Sequence, residues 1–340
     1  MSRIVYLDTA RGWAILLVVL GHAIEYTVPK FDNNFGFRLI YAVHMPLFMF
    51  ISGAVTRLPE ADWVDRLARL RSRGRRLLLP FIAWIPVSFL AIAWLQRPPG
   101  FAADFGPFVQ QLVHRPDAGG LWFLLVLFEC WLLLLIASAG GLRLAGWIGV
   151  ALLVALNVLV MSWPASNWLG LGLLRWQFLF FLAGFLARQS GWQPPSPRAA
   201  VLWLLSFLVL AAFWYRKSAV PVDLWLGHLS GGSRALAVGG YHALTAFAGI
   251  GAILGICATP WRSAIWGWLS RGLQGLSGVS LEIYAGHYVF LYAAVWLTVA
   301  WPLDPSAKII CVALAALGGA LLLRRLITLI PVLGILFYGR

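Results

Sequence analysis

Arg11 and His22 stand eleven residues apart in an apolar stretch. At 100° per residue they return to nearly the same helix face, about 16 Å apart along the axis. Asp8 precedes Arg11 by three residues and Glu25 follows His22 by three, so four polar groups make one stripe on a helix otherwise built of Ile, Leu, Val and Trp. Such a stripe must face protein or water, because an unpaired charge within a span costs kcal/mol. Beyond a short loop, His44 enters the next apolar stretch roughly 9 Å from its end, a depth similar to that of His22, so the two imidazoles could share one site. Imidazole exchanges a proton near neutral pH. The stripe therefore offers a proton-transferring group at one end and a guanidinium at the other. Pro46, two residues after His44, cannot donate to the carbonyl of Ala42, which predicts a local kink and a wider helix pair there. Glu25 has two open readings: a group merely solvated near the surface, or one that works with His22.

These residues need a membrane around them. Of 340 residues, 61% are hydrophobic and only 11% charged, a balance no water-soluble surface could accommodate. Apolar windows of spanning length fall near 12–29, 38–56, 77–95, 121–139, 143–161, 169–187, 199–214, 235–257, 276–300 and 307–323. The expected architecture is an all-α, polytopic transmembrane helix bundle of about ten spans in one domain, 1–340, with no separate soluble domain. The first span reads as a retained helix and not a cleaved signal, being too long and lacking a small-residue cleavage site.

The net charge of +14 would suit a nucleic-acid binder, but the basic residues sit between apolar segments and not on one soluble face. Residues 57–76 hold Arg57, Arg66, Arg69, Arg71, Arg73, Arg75 and Arg76, which places this loop in the cytoplasm and with it both chain ends. Arg143, Arg188 with Arg198, Arg262 with Arg271, and Arg324 with Arg325 fall on the same side. Arg97, Arg115, Arg216 and Lys217, in longer outer loops, oppose. With Trp63, Leu67 and Leu70 against its arginines, the 57–76 run also reads as a short amphipathic stretch lying on the membrane surface. Cys130, Cys257 and Cys311 lie in apolar runs without metal spacing, and no metal is expected.

Several strings carry a resemblance. Leu7-Asp8-Thr9-Ala10-Arg11-Gly12, the ten residues between Arg11 and His22, and His44-Met45-Pro46-Leu47-Phe48 running to Ser52-Gly53 closely resemble membrane acyltransferase family 3. So does Arg73-Gly74-Arg75-Arg76-Leu77-Leu78-Leu79-Pro80, with its R-x-x-R spacing. Leu121-Trp122-Phe123-Leu124 and Ser280-Leu281-Glu282-Ile283-Tyr284, followed by His287, are similar to two further segments of that family, so the likeness spans nearly the whole chain. It implies transfer of an acyl group, often acetyl, from cytoplasmic acyl-CoA to a hydroxyl of a sugar or polysaccharide in a bacterial inner membrane. A fused outer esterase-like domain, which some relatives carry, is not expected here.

Acyl transfer needs a base near the acceptor oxygen, a donor for the developing oxyanion and cations for the CoA phosphates. His22 is the candidate base, with Glu25 one turn on or His44 opposite as the group that orients it. Arg11, Arg73 and Arg76 are the candidate phosphate ligands, because guanidinium presents donor forks to phosphate oxygens. Arg71 and Arg75 read as membrane anchors. Trp122, Glu282, His287 and Asp8 are candidate substrate or channel residues, although Glu282 and His287 could equally be a hydrogen-bonded packing pair. Glu129 and Arg175 read as an ion pair between helices. His114 and His228 read as solvated, and His242 as a possible acceptor contact. Trp163, Trp168 and Trp301 read as interface anchors, as does Trp122 when not a channel residue. The main rival reading is a transporter or flippase, which should show inverted repeats and matching broken helices; a second is a non-catalytic sensor using His22 and His44. Stabilisation by acetyl-CoA separates the enzyme from both.

Overall fold

The polar stripe lies on a helix enclosed by its neighbours. In a computed structural model, which describes residues 4–58, 63–96, 104–138, 141–162 and 168–340, α1 spans Val5–Thr27 and α2 spans Phe35–Ala54. Ala10, Ala14, Ile15 and Val18 of α1 are fully buried, small or branched side chains that let other helices approach closely. Around them stand α3 (Trp63–Ala91), α5 (Trp122–Ala137), α6 (Leu142–Ser162), α7 (Leu171–Gln189), α8 (Pro197–Ala212), α10 (Gly231–Ala258), α12 (Ser280–Thr298) and α13 (Pro305–Thr328). Short helices α4 (Phe105–His114), α9 (Val220–Trp225), α11 (Ala264–Ser277) and α14 (Pro331–Tyr338) complete the order. Among the described residues the strands are a two-residue antiparallel pair, β1 (Trp214–Tyr215) and β2 (Ser218–Ala219), in register Trp214 to Ala219.

The fold is all-α and polytopic. Each expected apolar window falls on a helix, and among the described residues seven helices, α1, α2, α3, α6, α7, α10 and α13, are long and apolar enough to cross a membrane. The shorter apolar helices α5 and α8 have 16 residues each. α12 is diluted by Glu282, His287 and three tyrosines. On α6, Leu144, Trp147, Val150, Val154 and Val158 form an exposed apolar stripe at helical spacing, as a lipid-facing helix requires.

Two expectations are corrected here. The basic run does not form a separate surface stretch: α3 begins at Trp63 and continues unbroken into the apolar segment, so the arginines occupy one end of that helix. The region read as a loop around Arg262 and Arg271 contains α11, which lies so close across α1 that a Cβ at Gly12 would meet the Leu273 backbone. α2 stays helical through Pro46, with Asn34 Oδ1 capping its start by accepting from Phe37 N at 3.0 Å. Arg97, Trp163 and the side chains of Trp63 and Arg143 lie outside the described residues.

Candidate active site

Three helices bring three imidazoles into one layer. His22 stands on α1, His44 on α2 and His287 on α12; the ring centroids of His22 and His287 are 5.5 Å apart. His22 Nδ1 lies 3.0 Å from Glu25 Oε2, one turn further along α1. Facing a carboxylate, Nδ1 carries a proton, so in the neutral ring the lone pair is on Nε2. Tyr41 of α2 donates its hydroxyl to the same Glu25 oxygen and lies 3.0 Å from Nδ1. The Tyr288 hydroxyl of α12 is 2.8 Å from Nε2 and 3.3 Å from Nδ1.

His44 does not touch His22: Tyr41 stands between them, its ring 5.9 Å from His22 and 4.8 Å from His44. The His44 Nδ1–H donates to Ile40 O at 2.8 Å, one turn back on its own helix. His287 is fully buried, and its Nδ1–H donates to Tyr284 O at 2.7 Å, while its Nε2 has no partner among the described residues.

The other end of Glu25 is tied to the hairpin. Its Oε1 accepts from Arg216 Nη1 at 3.2 Å, and Arg216 Nε lies 3.7 Å from Asp32. Arg38 of α2 supports that hairpin, donating to Ala212 O at 2.7 Å with its guanidinium 4.7 Å from the Tyr215 ring centre.

At the arginine end of the bundle, a cavity of about 410 Å³ is lined by Arg11 of α1 and by Arg73 and Arg76 of α3. Among the described residues no carboxylate lines it, and its three guanidinium groups suit an anion. Its apolar wall is Phe48, Phe123, Leu127 and Phe181, and Tyr284 belongs to the wall as well. The Tyr284 ring lies 6.0 Å from that of His287, which connects the cavity to the histidine layer. Tyr284 is immobilised there, accepting from Phe123 N at 3.2 Å and donating to Gly120 O at 2.8 Å.

A family model described as an acyltransferase domain matches residues 4–325. The chain belongs to membrane acyltransferase family 3. Among curated proteins it is similar to the nodulation protein NolL of Sinorhizobium fredii, 32% identical over 199 residues that cover 56% of this chain and 50% of that protein. A second relative, nodulation protein NolL of Mesorhizobium japonicum, is 28% identical over 247 residues, covering 67% and 61% of the two chains. The chain thus spans roughly half to three-fifths of the length of these relatives. No solved structure matches it.

In this acyltransferase domain the sequence-derived residues fall into groups. Arg11, Arg73 and Arg76 share one cavity; His22, Glu25 and His287 share one layer, with His44 one ring further away. Glu282 is not part of that layer and does not pair with His287: it forms an ion pair with Arg340, beyond α14. Asp8 accepts from Ser277 Oγ of α11 at 3.4 Å. Trp122 starts α5 and packs half-buried against the core, while its neighbour Phe123 lines the cavity. Glu129 and Arg175 form no ion pair; Arg175 donates to Asn157 Oδ1 at 3.4 Å, and Glu129 Oε2 and Arg175 Nε lack partners among the described residues. His242 is engaged on the hairpin, its Nε2 3.1 Å from Ser218 O. His114 packs on Trp168 at 4.9 Å, and His228 is exposed.

Sequence reasoning missed the hydroxyls of Tyr41 and Tyr288 and the Arg216 guanidinium. A signal existed for one of them: Tyr284, Tyr288 and Tyr292 recur every four residues beside His287, a polar-tipped stripe on an intramembrane helix.

Proposed function

We propose that the protein is a membrane O-acyltransferase that moves an acyl group, acetyl in the simplest case, from acyl-CoA to a hydroxyl of a sugar or polysaccharide. What carries the reading is the joining of an all-cationic cavity to a carboxylate-oriented histidine through a wall of aromatic side chains. The guanidinium groups of Arg11, Arg73 and Arg76 bind the CoA phosphates, and the pantetheine arm runs past Phe48, Phe123 and Tyr284 toward the histidines. His22 Nε2 takes the proton of the acceptor hydroxyl, and Glu25 holds the ring and steadies the imidazolium that forms. His44 lies too far for direct contact with His22 and shapes the layer through Tyr41.

The topology belongs to the same reading: about ten crossings, both ends and the arginine cavity in the cytoplasm, the hairpin and the acceptor at the outer face of a bacterial inner membrane. The acceptor class is inferred from the family.

The test is turnover of labelled acetyl-CoA by purified protein in vesicles, with polysaccharide acceptor present, for wild type, His22→Ala and Arg11→Ala. We expect turnover by wild type, a loss of about 10²–10⁴-fold for His22→Ala, and for Arg11→Ala a higher acetyl-CoA requirement at little-changed maximal rate. A wild-type protein that neither binds nor consumes any acyl-CoA sinks the reading.

A further inference from the structure

A base alone does not make an acyltransferase; negative charge develops on the thioester carbonyl oxygen and needs a donor aimed at it. The layer around His22 contains few groups able to supply one. His22, His44 and His287 all hold their proton on Nδ1, facing Glu25 Oε2, Ile40 O and Tyr284 O. Each neutral ring therefore presents a lone pair on Nε2, and a lone pair cannot bind an oxyanion. The backbone N–H groups inside the surrounding helices are committed to their own ladders.

The tyrosines divide in the same way. Tyr41 gives its proton to Glu25 Oε2 and Tyr284 gives its proton to Gly120 O. Tyr26 and Tyr292 bond to each other, 3.3 Å apart, and neither bonds to His22. Tyr288 differs: its hydroxyl has no partner among the described residues except His22. Lying near both ring nitrogens, it sits to one side of the imidazole and not along the in-plane lone pair of Nε2. An acceptor hydroxyl can take that lone pair, and the Tyr288 proton is then free for another oxygen.

Resting on the acyl-transfer reading above, we propose that Tyr288 is a further catalytic residue, the hydroxyl that holds the carbonyl oxygen of the thioester as it becomes the tetrahedral oxyanion. The acceptor oxygen bonds to the carbonyl carbon while its proton passes to His22 Nε2. The π electron pair moves onto the carbonyl oxygen, which accepts the Tyr288 O–H. Collapse restores the carbonyl and breaks the carbon–sulfur bond, and the departing thiolate takes the proton from the His22 imidazolium. Tyr288 keeps its own proton throughout. Because the two oxygens share one carbon, the base and the donor must lie close together, as His22 and Tyr288 do at 2.8 Å.

The phenol is held in place for this task. Its ring lies 4.8 Å from His22, 4.3 Å from His287 and 5.6 Å from Tyr292. On a fourth side the chain passes as Gly120 at φ +72°, where a Cβ would come within 2.7 Å of the Tyr288 ring. A donor that needs no reorganisation in the transition state is the effective kind.

Tyr288→Phe removes the donor and keeps the ring. We expect its turnover to fall about 10²–10³-fold, with acetyl-CoA binding, read by thermal stabilisation, weakened far less than turnover. A second measurement does not depend on turnover. In the non-reacting His22→Ala protein, the infrared carbonyl band of bound acetyl-CoA labelled with ¹³C at the carbonyl should move to lower frequency than in water-free solvent, and His22→Ala/Tyr288→Phe should abolish that shift. Turnover of Tyr288→Phe within a few-fold of wild type, or a shift that survives the double substitution, overturns the proposal while leaving the His22 mechanism intact. Failure of the wild type to bind acetyl-CoA overturns both.

Discussion

Arg216 meets Glu25 at 3.2 Å across 191 positions of sequence. The contact links the hairpin between α8 and α9 to the carboxylate that orients His22, and it uses the Glu25 oxygen that the imidazole leaves free. The Arg216 side chain is 40% exposed, so the pair adds little stability, about 0–1 kcal/mol. Its consequence is positional. Arg216→Ala should lower turnover about tenfold, short of the roughly 10²-fold that a 1 Å misplacement costs. The acetyl-CoA requirement and melting temperature should barely move, and Arg216→Lys should recover part of the rate. Unchanged turnover in Arg216→Ala would show that Glu25 holds His22 without help from the hairpin.

Why the contact of Arg216 with Glu25 is not legible in the sequence is physical. A helix stripe such as Asp8, Arg11, His22 and Glu25 is written in local spacing, because 3.6 residues per turn converts sequence distance into direction. The helices themselves were legible for the same reason. The crossings of separate elements leave no such mark: nothing near Arg216 in sequence points to Glu25, and nothing near Glu282 points to Arg340. Tyrosines in apolar helices look like core until their hydroxyl partners are known, which is why the sequence alone singles out neither Tyr41 nor Tyr288. Glu129 and Arg175 mislead in the opposite sense, since matching charge at membrane depth suggested a pair that the helix arrangement does not form.

Arg73 does more than contribute charge. Its guanidinium lies 5.8 Å from the centre of the Trp131 ring, within cation–π reach, while lining the cationic cavity. A lysine keeps the charge but loses the planar donor fork. Arg73→Lys should therefore raise the acetyl-CoA concentration for half-maximal rate about tenfold, equivalent to ~1.4 kcal/mol, with the maximal rate nearly unchanged. An acetyl-CoA titration of wild type beside Arg73→Lys checks it; an unaltered half-saturation point would mean that charge alone serves at this position.

The ion pair between Glu282 and Arg340 ties the segment after α14 to α12, the helix that carries His287 and Tyr288. Only 3% of the Glu282 side chain is exposed, against 42% for Arg340, so truncating the arginine leaves a carboxylate in a place water reaches poorly. Losing one partner of a fully buried pair costs about 3–5 kcal/mol, and the exposure of Arg340 reduces this to about 2 kcal/mol. Trp84 Nε1 donates to Phe337 O at 2.9 Å and keeps α14 attached in the variant. Arg340→Ala should lower the melting temperature in detergent, and adding Glu282→Gln should restore most of it by removing the stranded charge. If the second substitution restores nothing, the tail stabilises α12 by packing and not by charge.

α2 and α7 touch backbone to backbone at two glycines. A Cβ at Gly53 would meet Phe181 O, and a Cβ at Gly184 would meet Phe50 O, so the pair is set by the absence of both side chains. A backbone carbonyl cannot swing aside as a side chain can, and one added methyl must push the helices apart. Phe48 of α2 and Phe181 of α7 both line the cationic cavity, so the separation is transmitted to the donor site. Gly184→Ala should cost about 2 kcal/mol of stability and raise the acetyl-CoA requirement at the same time. Gly240, in the interior of α10, supplies the control: nothing lies within 4 Å of its added Cβ, so Gly240→Ala should be neutral or gain up to about 1 kcal/mol from helix propensity. Opposite signs for one chemical change at two helical glycines, read by melting in detergent with and without acetyl-CoA, would place the effect in the α2–α7 contact; equal signs would remove the contact from the account of how the cavity is held.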